Sequence, residues 1–183
     1  MRAAWRALVA GRLDARRFVF VDECSTNTSL SAIYGWSRRG QRVCFEVPRN
    51  WGANVTLVSS MSLEGMGPSV AVEGATTKAV FETYVERVLA PSLKPEQIVV
   101  MDNLSSHKGS RVRELIAGRG CELMYLPPYS PDLNPIEEAF AKIKAVLRRA
   151  GARTREALIE VMGRALDAVR ASDARGFFEH RGY

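Results

Sequence analysis

A chain of 183 residues that is 46% hydrophobic and 25% charged can bury one sizeable core, and its balance excludes a disordered or low-complexity protein. A formal charge of +6 suits a polyanionic partner without requiring one. Cys24, Cys44 and Cys121 are odd in number and far apart, which argues against a disulfide framework or a zinc site, and no stretch approaches the length of a membrane span.

In chain order, Trp5, Leu8, Val9 and Leu13 recur at helical spacing, with Arg6 and Arg12 interrupting any apolar leader, so the opening reads as a short amphipathic helix. RFVFVD follows as a buried strand ending on Asp22. Further strands are expected over 31–34, 43–47, 55–60 and 69–72, divided by the turn-rich SRRGQ and PRNWGAN, as an antiparallel meander. Val80, Phe81, Tyr84, Val85, Val88 and Leu89 then mark a helix that Pro91 terminates. IVVMD is a second buried strand ending on an acid, Asp102. Residues 111–117 read as a helix, CELMYL as a strand, and LPPYSPDLNPIEEAF leads into a helix over 135–149. A last helix is expected over 154–169, with Thr154 as its cap. The sum is an α/β domain: a mixed sheet, antiparallel meander plus parallel strands, with flanking helices.

Strand ends are where open α/β sheets carry their sites, so Asp22 and Asp102 can bring two carboxylates to one edge; each also reads simply as a turn starter. The third acid, Glu137, stands three residues after Asn134, the spacing of a capping box with Asn134 as N-cap and Pro135 at the first helical position. Capping alone leaves the approach unexplained. Pro127, Pro128, Pro131 and Pro135, half of the chain's eight prolines, stiffen it and so give Glu137 a defined position. Three gathered carboxylates repel one another unless a hard divalent cation neutralises them, and Mg2+ prefers such oxygen ligands. On the helix itself Ile136, Phe140, Ile143 and Leu147 form the apolar stripe, and Glu137 shares a flank with Lys144 and Arg148. That flank reads either as an ordinary solvated face or as a track for the DNA backbone, while Glu138 and Lys142 read as an i,i+4 pair.

FVFVDECS, IVVMDNLSSHKG and LPPYSPDLNPIEEAF, in this order, closely resemble the catalytic domain of mariner-like DDE transposases, especially their bacterial insertion-sequence branch. The 34 residues between Asp102 and Glu137 match the interval of one branch of that family. The resemblance implies a ribonuclease-H-like fold, catalytic and metal-binding roles for Asp22, Asp102 and Glu137, and Mg2+, with Mn2+ as substitute, as cofactor in two ions. It implies DNA cleavage at transposon ends and strand transfer into target DNA, in a homodimer working in the cytoplasm at the nucleoid. Glu23, Asn103 and His107 are expected to orient the ligands from behind; His107 also reads as a surface turn residue.

Complete members carry helix-turn-helix segments ahead of the catalytic domain, which is here expected over residues 17–183, with residues 1–16 as a helical remnant or linker. The chain is therefore expected to lack that DNA-reading part and to work with it as a separate or fused partner. Two other readings stay open: an inactive remnant that only binds DNA or dimerises, and a ribonuclease-H-like nuclease outside transposition.

Overall fold

A computed structural model describes residues 2–50, 52–104 and 107–183, with residues 10–12 described by backbone alone. Trp51 of the expected PRNWGAN turn and Ser105 and Ser106 of the second motif lie outside the described residues. Five strands form one sheet: β1 (Phe18–Thr26), β2 (Val55–Ser62), β3 (Gly65–Glu73), β4 (Ile98–Met101) and β5 (Glu122–Tyr125), in the order β3-β2-β1-β4-β5. β1 pairs antiparallel with β2 and β2 with β3, whereas β1–β4 and β4–β5 are parallel. The expected mixed sheet is therefore present.

Its register defines the site. The parallel ladder ends at the pair Val21↔Met101, so Asp22 and Asp102 are the next residues on neighbouring strands. β1 does not stop at Asp22, as expected from sequence, but runs on to Thr26 because β2 continues to pair with it through Thr26↔Val55. Alternation along β1 sends Phe18 and Phe20 into one core and Val19 and Val21 into the other. By the same alternation Asp22 lies on the Phe20 face and Glu23 on the Val21 face.

The two expected strands at 31–34 and 43–47 do not form. Both sides of β1 are taken by β2 and β4, so these segments have no vacant neighbour there, and Ile33, Tyr34, Trp36, Phe45 and Val47 remain exposed. The Arg153 guanidinium holds this stretch by donating to the carbonyls of Thr28, Leu30 and Glu46.

On the Val21 face lie α2 (Lys78–Tyr84), its π-helical continuation Val85–Leu89, α3 (Ala90–Ser92) and α4 (Ser110–Ala117). Pro91 does not end this helix. The Ala90 N–H bonds to the carbonyl of Val85, five residues back, and the chain continues through Pro91 to Ser92.

The Phe20 face is covered by α1 (Arg2–Arg12), α5 (Ile136–Ala150), α6 (Arg155–Asp167) and α7 (Ala171–Arg181). Ile136, Phe140, Ile143 and Leu147 of α5 are buried as the spacing requires, and Thr154 caps α6 by accepting from Ala157 N–H. α7 was not foreseen, since residues 154–169 were expected to be the last helix. Its Phe178 packs edge-on to Phe20. The i,i+4 pair Glu138–Lys142 does not form: Glu138 meets His180 and Arg181 of α7, and Lys142 pairs with Asp173. Among the described residues no helix is long and apolar enough to cross a membrane.

Both chain ends converge on the proline segment. Trp5 and Val9 of α1 enter the core, and Arg2 and Arg6 meet the Asp132 carboxylate. Trp5 Nε1 donates to the Tyr183 hydroxyl at 3.0 Å, and that hydroxyl donates to the Leu133 carbonyl at 2.6 Å. Tyr183→Phe strips both partners of a hydrogen bond, at about 1–3 kcal/mol, and is expected to lower the thermal midpoint by roughly 2–12 °C. An unchanged midpoint contradicts the bracing role.

Candidate metal centre

Asp22, Asp102 and Glu137 reach one cavity from three elements: β1, the exit of β4, and the first turn of α5. The cavity measures about 420 Å³, and Asn103, Asn134 and the proline segment complete its wall. Asp22 is buried, Asp102 half-buried and Glu137 exposed. Among the described residues, no three His, Cys, Asp or Glu side chains stand close enough to enclose an ion as placed.

Both oxygens of Asp22 are held. Oδ1 accepts from the Glu23 N–H at 2.7 Å, and Oδ2 accepts from Asn134 Nδ2, also at 2.7 Å. Burial raises the Asp22 carboxyl to about 7; the Glu23 N–H opposes the rise, and the charges of Glu137, Asp102 and Glu23 add to it. Opposite Asp22 stands Ser59 of β2, where the β2–β3 register shifts between Ser59 and Met61.

Asn134 corrects an expectation. It is not a side-chain cap: α5 begins at Ile136 with no side-chain hydrogen bond at its N-terminus, and the Asn134 amide turns instead to Asp22. The amide nitrogen serves Asp22, while Oδ1, the atom a cap would use, accepts from no described residue. Sequence reading missed this role, and only the overlap of Asn134 with the proline segment pointed towards it.

His107 is not the surface turn residue that its polar neighbours suggest; it is fully buried. Its ring stacks on Phe81 with centroids 4.1 Å apart. Nε2 lies 3.2 Å from Glu23 Oε1, and Nδ1 lies 2.6 Å from Asp102 Oδ1, close but poorly aligned, so the latter contact is chiefly one of charge. Burial pushes His107 down, yet the contacts with Asp102 and Glu23 outweigh it and raise the imidazole to about 9. The ring therefore links Glu23, on the reverse face of β1, to Asp102. Leu104 N–H also donates to Asp102 Oδ1, and Tyr125 Oη to the His107 carbonyl, which ties this loop to β5.

Asn103 borders the cavity. Lys144 is half-buried beside Cys24, whose thiol burial pushes up against the pull of that ammonium. Arg148 is also half-buried, one turn further along α5. Tyr129, at the rim, is 98% exposed with φ of 52°, a left-handed backbone that side chains other than glycine seldom adopt.

The raised groups fix a pH dependence. Asp22 in the folded chain keeps its proton above the ordinary 3.8, so its contribution to stability is present at low pH and lost up to about 7. His107 keeps its proton above 6.5, so its contribution is lost as pH rises to about 9. Without divalent ions, unfolding free energy is expected to fall between pH 4 and 9. Urea titrations across that range check this, and a rise over the interval contradicts it.

The family described as DDE superfamily endonuclease matches residues 17–159. The Tcb2 transposase of Caenorhabditis briggsae is 27% identical over 159 residues, covering 80% of this chain and 58% of its own length. The Tc1 transposase of Caenorhabditis elegans is 26% identical over 162 residues, covering 82% and 58%. The chain thus spans little more than half of these relatives. A Mos1 transposase paired-end complex with left transposon end superposes with a TM-score of 0.77 at 17% identity, over 98% of this chain and 56% of that one. The catalytic domain of Mos1 mariner transposase gives 0.67 at 17% identity, over 98% and 84%. At such identity the likeness speaks to the fold, which is ribonuclease-H-like, with the mixed sheet described above. With the family match covering most of its length and that fold beneath it, the chain belongs to the DDE superfamily of endonucleases.

Proposed function

We propose that the chain is the catalytic domain of a DNA transposase, which cuts DNA at the ends of a mobile element and joins those ends to target DNA. The observation that carries this is the meeting of Asp22, Asp102 and Glu137 at one cavity, in a chain of net charge +6. In this reading they are the catalytic triad and hold Mg2+, with Mn2+ as substitute, as two ions. The residues suit such ions: the donors are hard carboxylates gathered at one cavity, and burial and like charge raise Asp22 to about 7, a cost a cation would relieve. Solved Mos1 complexes are described with Mg and with Mn, which supports the same pair here. Bound at these carboxylates, the metal supplies Lewis acidity for phosphodiester displacement.

The chain's own residues prepare that chemistry. Asp22 is fixed at both oxygens, His107 holds Asp102 from behind, and the stiff proline segment presents Glu137 from the opposite wall. Lys144 and Arg148, on the Glu137 flank of α5, are proposed contacts to the DNA backbone. Reading of transposon ends is assigned to a helix-turn-helix part, fused or separate, in keeping with relatives of whose length the match covers 58%. A homodimer in the DNA complex and a cytoplasmic, nucleoid-associated location complete the reading.

Mn2+ at about 100 times its Kd adds roughly 2.7 kcal/mol to stability, a rise in thermal midpoint of roughly 5–10 °C at pH 8. Asp102→Asn is expected to abolish this rise and, with the DNA-reading part supplied, metal-dependent nicking of end-bearing DNA. Undiminished nicking by that variant contradicts the assignment.

A further inference from the structure

We infer that Asn134 is a positioning residue for Asp22: its side-chain amide grips one carboxylate oxygen and presents the group to the cavity in a single orientation. The inference rests on the reading of Asp22 as a metal ligand.

The contact joins residues 112 positions apart, with Asn134 2% and Asp22 8% exposed. The amide nitrogen faces Asp22 and Oδ1 faces away from it, the orientation that suits a metal-holding carboxylate, which can only accept. There Oδ1 meets no donor among the described residues. Because the Glu23 N–H occupies the other oxygen of Asp22, the carboxylate is fixed against rotation about its terminal bond. Remove the amide and a single hydrogen bond remains, one that allows the plane to swing.

The Asn134 backbone is itself held. Its N–H donates to the Pro131 carbonyl at 3.0 Å, and the following Pro135 restricts it to the extended backbone it adopts, φ −110° and ψ 100°. The Leu133 carbonyl before it is anchored by Tyr183. The proline segment therefore places two groups at the cavity, the Glu137 carboxylate and the amide that orients Asp22. Partners of this kind, which bond a metal's ligands without touching the metal, typically change metal affinity about 10–100-fold when removed.

Mn2+ affinity, read from the electron paramagnetic resonance signal of free Mn2+, and the thermal midpoint of the metal-free chain test this together. Asn134→Ala is expected to weaken Mn2+ binding about 10–100-fold. An affinity within about twofold of wild type overturns the inference, even if the midpoint falls, because a merely structural asparagine alters folding alone. The exchange Asp22→Asn with Asn134→Asp keeps an amide–carboxylate pair across the same gap, so it guards against loss of folding. It is expected to restore the midpoint and leave Mn2+ binding weak, whereas wild-type affinity in the exchange overturns the inference. Asp22→Asn alone separates the two levels. If it retains wild-type affinity, Asp22 is not a ligand and the underlying reading fails; if it loses affinity while Asn134→Ala does not, the role of Asn134 alone fails.

Discussion

Like charge gathered in one place is the constraint around which this molecule is arranged. Asp22, Asp102 and Glu137 share a cavity wall, and Glu23 adds a fourth carboxylate behind it. Left to itself such a group would spread apart or take up protons: burial first, and these like charges in addition, raise Asp22 to about 7. The fold keeps it together by covalent and hydrogen-bonded framing. Parallel pairing of β1 and β4 brings Asp22 and Asp102 to adjacent strand positions before any side chain is considered.

The remaining framing comes from three directions. From the Val21 face, the buried His107 meets both Glu23 and Asp102 and is steadied by Phe81. From the Phe20 face, Asn134 crosses to Asp22. From outside, α1 and Tyr183 press the proline segment onto the body through Trp5, Leu133 and Asp132. The arrangement is rigid on the side of the two aspartates and open on the side of Glu137, the one exposed carboxylate of the three. This leaves fixed carboxylates at depth and an accessible acid at the rim.

Much of this was legible where local pattern and tertiary outcome agree. The apolar runs before Asp22 and Asp102 are buried central strands, and the 3.6-residue stripe of α5 packs as its spacing requires. The failures share a cause. Asn134 and Glu138 sit at spacings that suit local partners, yet the side-chain contacts each makes lie far along the chain, with Asp22 in one case and α7 in the other. His107 lies in a polar stretch whose composition says nothing about Phe81, the ring on which it stacks. The segments 31–34 and 43–47 have strand-like composition, but the sheet offers them no vacant neighbour at β1. In α7 the sequence ASDARGFFEHR breaks its apolar spacing with Gly176 and charge, so its burial through Ala174 and Phe178 becomes visible only against Phe20.

The central claim is that the three carboxylates act as one cation site aimed at a phosphodiester. Anomalous diffraction at the manganese edge, from crystals grown with Mn2+, tests it most directly. The account predicts a peak within ligand distance, about 2–2.5 Å, of carboxylate oxygens of Asp22 and Asp102 on the Glu137 side of the cavity. Mn2+ bound elsewhere on the chain with this cavity left empty would contradict it.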